Sequence, residues 1–68
     1  MTYRVRFSEE AKDYRMRMIS ILDGVEMCEF PNGDVFIKCD DEDTADCIEF
    51  ELRKAESRDD YCDWEKII

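Results

Sequence analysis

The chain has 68 residues, 19 acidic against 10 basic side chains, a net charge of −9 and no histidine. So short a chain buries only roughly 60% of the surface its unfolded form exposes, so a single domain of modest stability spanning residues 1–68 is expected. Lack of histidine removes the commonest general base and metal ligand, two glycines cannot build a phosphate-cradling loop, and no run approaches the ~18 apolar residues of a membrane span.

Residues 2–7, TYRVRF, alternate strictly, with Tyr3, Val5 and Phe7 on one face and Thr2, Arg4 and Arg6 on the other. That period predicts a half-buried strand. Residues 8–23 predict a helix with Ser8 as its cap, Glu9 and Glu10 in the first turn, and Gly24 as the left-handed stop. Helical spacing gathers Ala11, Tyr14, Met18, Ile21 and Leu22 on one side, with Glu9, Asp13 and Ser20 opposite. YRMRMIS also alternates, so a strand over 14–22 with a turn at Asp23-Gly24 competes.

Residues 25–39 predict a hairpin around Pro31-Asn32-Gly33. With Phe30 opposite Asp34, Val25, Met27, Val35, Ile37 and Cys39 share one face. Cys28, Phe30, Phe36, Glu26 and Lys38 share the other, and Glu26 faces Lys38. A two-residue Asn-Gly turn would shift this register. Asp43 then caps a predicted helix from 44 to about 56, acids crowding its start and Arg53, Lys54 and Arg58 its end, as the macrodipole favours. Its buried stripe is Ala45, Ile48, Leu52 and Ala55, which leaves Cys47 and Phe50 outward. IEFEL alternates as a strand would, so this segment has two readings. If 44–56 is a helix, residues 60–68 close the sheet as a last strand; if 47–53 is a strand, a C-terminal helix follows. The favoured fold is α+β, a small β-α-β-β-α-β or ferredoxin-like split βαβ domain, with β-α-β-β-β-α as the alternative.

Charge is unevenly spread. Residues 1–24 carry net +1 and residues 25–68 carry net −10. The acidic run is not a calcium loop, because counting from Asp40 puts Ala45 where the sharp bend needs glycine. Cys28, Cys39, Cys47 and Cys62 lack the close pairs of a zinc site and are expected to be reduced thiols acting as small hydrophobes. No nucleophile elbow or histidine triad is present. No enzyme activity, metal or cofactor is therefore expected.

Two surfaces are candidates for function. The first is acidic: Asp40, Asp41, Glu42, Asp43, Asp46, Glu49 and Glu56, with Phe50 as an apolar anchor and Asp59, Asp60, Asp63 and Glu65 from the tail. Its plain role is a solvated face. Solubility alone needs only a net charge of about 2–8 with mixed signs, and concentrated like charge destabilises a small fold. Such a field suits the basic groove of a nucleic-acid-binding protein. The second is the open sheet face, with Arg4, Arg6, Lys38, Phe30, Phe36 and Cys28. It is how an RNA-recognition module would stack single-stranded bases, although NGDVFIKC lacks that family's glycine-aromatic pattern. A homodimer or an accessory-subunit contact through Phe30 and Phe36 is the other reading of this face.

Tyr3 to Tyr14, YRVRFSEEAKDY, resembles the opening strand and helix of RelE/ParE-type toxins. Those toxins are basic and carry a second helix before their sheet, so no functional residue is carried over. In size and acidity the whole chain is similar to small phage-encoded inhibitors, including anti-CRISPR proteins and acidic DNA mimics. That resemblance implies a phage protein, soluble in the cytoplasm of a host cell, that blocks a nucleic-acid-binding protein by occupying its basic surface.

Overall fold

The computed structural model describes residues 1–68. Its elements run β1 (Thr2–Phe7), α1 (Lys12–Ser20), β2 (Glu26–Glu29), β3 (Val35–Lys38), α2 (Glu42–Arg58) and β4 (Cys62–Lys66). The strands form one antiparallel sheet in the order β2-β3-β1-β4. This is the split βαβ layout, and the alternative with a C-terminal helix is not adopted.

The β1 alternation places Tyr3, Val5 and Phe7 in the core. The hairpin takes the register with Glu26 opposite Lys38 and Cys28 opposite Phe36. Phe30 N–H donates to the Asp34 carbonyl at 2.8 Å, and Gly33 takes φ +97°, the left-handed conformation that a side chain disfavours. Val35, Ile37 and Cys39 are buried on the helix side. The α2 stripe is likewise Ala45, Ile48, Leu52 and Ala55. Burying an aliphatic side chain contributes about 1.5–3 kcal/mol, so these residues hold the sheet and helices together.

Four local expectations need correction. Helix α1 starts at Lys12, not after Ser8. Ser8 is buried, and its carbonyl accepts from the Ala11 N–H at 3.1 Å in a preceding turn. Gly24 does take positive φ, but in the turn beyond a helix that has already ended at Ser20. The core face of α1 is also rotated: Arg15 and Ile19 are buried, while Tyr14 and Ile21 are exposed. Arg15 gains that position through Asp59, which accepts from its Nε and Nη2 at 2.8 Å each. Helix α2 starts two residues earlier than expected, with Asp41 as the residue before its first turn. No helix is long and apolar enough to cross a membrane.

Candidate functional site: the acidic start of α2

Helix α2 begins where the chain leaves β3, so residues 40–43 are held by the sheet at one end and by the helix at the other. Ala45 N–H donates to the Asp41 carbonyl at 2.9 Å. Thr44 Oγ1 donates to Asp41 Oδ2 at 3.4 Å and lies 3.3 Å from the Asp23 carbonyl, tying this turn to the loop after α1. Asp40, Asp41, Glu42, Asp43 and Asp46 are all exposed. None of the five has a lysine or arginine nitrogen within 4.0 Å.

Helix stability explains only part of this cluster. A carboxylate in the first turn gains about 0.3–1 kcal/mol from the helix dipole. Two carboxylates about 6 Å apart in water repel by about 0.7 kcal/mol. The terms are of one size, so packing more acids there has little net structural benefit. Asp40 precedes the cap and Asp46 lies beyond the first turn, so the dipole accounts for neither.

The other candidate acids stand differently. Glu49 is half-buried: Tyr3 Oη donates to it at 2.6 Å, Arg53 lies at 3.2 Å and Lys66 at 4.0 Å. Burial, followed by this carboxylate, pushes the Tyr3 hydroxyl well above the usual phenol range. Glu49 thus anchors α2 to β1. Glu56 is exposed, ten residues or about 15 Å further along the helix than Asp46. Asp60 is exposed too. Asp59 is largely buried against Arg15, whose hydrogen bonds hold its carboxyl below the usual range. Phe50 projects outward, 61% exposed, with Lys54 Nζ 4.8 Å from its ring centre.

On the open sheet face Arg4 and Arg6 are engaged by carboxylates, whereas Lys38 is exposed and has no carboxylate oxygen within 4.0 Å. Arg4 lies within 3.6 Å of Asp34 and 3.3 Å of both Asp63 and Glu65. Arg6 donates to Asp34 at 3.0 Å and to the Asn32 carbonyl at 2.8 Å. Phe30 and Phe36 pack on each other at 5.0 Å beside this network. Cys28 is exposed on the same face, while Cys62, half-buried, has its thiol pushed up to about 11 chiefly by burial. A hollow of about 280 Å³ at the end of β1, beside the hairpin turn, is lined by Arg6, Glu9, Lys12, Asn32, Gly33 and Tyr61 among others. Its cations are already engaged by Asp34 and Glu29. No group of residues has the arrangement of a metal site.

Sequence reasoning located the acidic turn but could not separate free from engaged acids. The partners of Glu49, Asp59, Asp63 and Glu65 include residues far away along the chain, so spacing carries no signal of them. No family model matches the chain, and neither a curated protein nor a solved structure does.

Proposed function

We propose that the chain is a small acidic binding protein that occupies the basic surface of a nucleic-acid-binding protein and so inhibits it. The observation that carries this reading is the set of five exposed carboxylates with no cation beside them, Asp40 to Asp43 and Asp46, running from just before α2 into its second turn. Their backbone is pinned by the helix start, so the negative charges arrive in a fixed pattern, as phosphates do on a nucleic acid. Glu56 extends the acidic rim, Glu49 fixes the helix, and Phe50 adds an apolar contact beyond charge. Such a protein acts by mimicry of nucleic acid, in the manner of phage-encoded anti-CRISPR inhibitors, in a host cytoplasm.

The RNA-binding alternative is weakened by the sheet face, because Arg4 and Arg6 are already spent on carboxylates. A homodimer or accessory contact through Phe30 and Phe36 keeps one supporting observation, that Phe30 is 45% exposed. Self-association that weakens with Phe36→Asp in analytical ultracentrifugation would mark that second reading.

The direct test is affinity capture from a host lysate on the immobilised chain. Retained proteins should bind nucleic acid, elute with salt, and be displaced by added duplex DNA. They should be lost from a chain with Asp40, Asp41, Asp43 and Asp46 changed to Asn and Glu42 to Gln. Equal retention by the neutralised chain, or saturable binding of single-stranded RNA that Arg6→Glu abolishes, would overturn the reading.

A further inference from the structure

Asn32 carries the chain's one side-chain amide, since the sequence holds no other asparagine and no glutamine, and Gly33 follows it. That pair is open to intramolecular chemistry. A backbone nitrogen can attack the side-chain Cγ of the asparagine before it, and glycine has no side chain to screen its nitrogen. Asn32 is exposed in the turn between β2 and β3, within reach of water.

The turn decides when this chemistry can run. Gly33 N–H donates to the Phe30 carbonyl at 3.0 Å, and no residue other than glycine has positive φ. Residues 30–33 therefore form a type I turn, which holds ψ of Asn32 at about 0°. From there Cγ cannot meet the Gly33 nitrogen. The backbone must first swing until both lie on one side of the Asn32 Cα–C bond. Several contacts oppose that swing. Asn32 Oδ1 accepts from Asp34 N–H at 3.0 Å, and its Nδ2 donates to Asp34 Oδ2 at 3.4 Å. The Asn32 carbonyl accepts from Arg6 Nη2 at 2.8 Å. Arg6 Nε also donates to Asp34 Oδ1 at 3.0 Å, so one side chain on β1 clamps both residues that flank Gly33.

We infer that Asn32 is a site of spontaneous deamidation gated by this turn, silent while the hairpin is closed and reactive when it opens. In the open state the Gly33 nitrogen bonds to Asn32 Cγ and the Cγ–Nδ2 bond breaks. Ammonia leaves with the proton that the Gly33 nitrogen gives up, and a cyclic imide remains. Water then opens the imide at either carbonyl, giving aspartate or isoaspartate. Aspartate puts a carboxylate oxygen where Nδ2 now donates to Asp34, so a hydrogen bond becomes a contact between like charges. Isoaspartate adds a methylene to the backbone inside the loop that the Phe30 N–H closes on the Asp34 carbonyl at 2.8 Å. Either product favours the open hairpin and loosens the packing of Phe30 on Phe36. The acidic start of α2 lies beyond the other end of β3, so this inference stands apart from the proposed function.

The test follows the intact mass of the full chain at mildly alkaline pH, folded in buffer and unfolded in guanidinium chloride. Only Asn32 can turn amide into acid; Asp23-Gly24 can rearrange through a similar imide, but its hydrolysed products keep their mass. The unfolded chain should convert, and the folded chain at least about tenfold more slowly, because the rate follows the open fraction. Arg6→Ala should speed conversion of the folded chain severalfold and leave the unfolded rate unchanged, with circular dichroism checking the fold. A second readout needs no variant: protection of the Gly33 amide from hydrogen exchange should match the ratio of unfolded to folded conversion rates within about threefold. A folded chain that converts as fast as the unfolded one, an unfolded chain that does not convert, a folded Arg6→Ala chain with an unchanged rate, or protection that departs from the rate ratio would overturn the inference.

Discussion

The open sheet face and the first turn of α2 are both rich in carboxylates, yet they are opposite in kind. On the sheet, Asp34, Asp63 and Glu65 each pair with Arg4, although Asp63 and Glu65 stay exposed at the surface. At the start of the helix, Asp40 to Asp43 and Asp46 face solvent with no cation beside them. Counting acids therefore says little about where a partner can bind. What matters is which carboxylates the fold leaves unsatisfied by cations.

Substitution separates the two kinds. The largest loss of stability is expected from Asp59→Ala, which strands the Arg15 guanidinium in a pair only 7% and 10% exposed. Breaking a buried pair from one side costs on the order of 3 kcal/mol, a large fraction of what a domain this size has. Urea unfolding followed by Trp64 fluorescence would measure it. The same pair should set an acid limb. Its carboxyl lies below the ordinary value, so its contribution is whole above about pH 4 and is lost as pH falls through the lowered folded value. Wild type should weaken through that window, and Asp59→Ala should lose this component of the slope.

A smaller drop in urea midpoint should follow Arg4→Ala, which leaves Asp63 and Glu65 without a cation while Asp34 keeps Arg6. Smallest of all, Asp43→Asn with Asp46→Asn should shift stability by no more than about 0.5 kcal/mol, as for exposed sites outside any network. A large loss from that pair would move the helix start into the structural class and erase the contrast.

Much of the fold was legible because its signals are local. Period-two alternation announced β1, Pro31-Asn32-Gly33 set the hairpin register, and helical spacing picked out Ala45, Ile48, Leu52 and Ala55. The α1 face was misread because hydrophobicity favours Tyr14 and Ile21, whereas tertiary pairing with Asp59, 44 residues away, buries Arg15. Ser8 looked like a cap, but the chain makes a further turn before the helix begins. At the candidate site the acidic turn and outward Phe50 were visible in the sequence. Glu49 was not separable from its neighbours, because only the fold brings the Tyr3 hydroxyl to it.

The most direct measurement is competition on a captured partner: displacement of labelled duplex DNA by increasing amounts of the chain. The account predicts stoichiometric displacement by the native chain and none by the folded variant neutralised at Asp40, Asp41, Glu42, Asp43 and Asp46. Displacement by both chains alike, or DNA that stays bound while the native chain binds elsewhere, would contradict it.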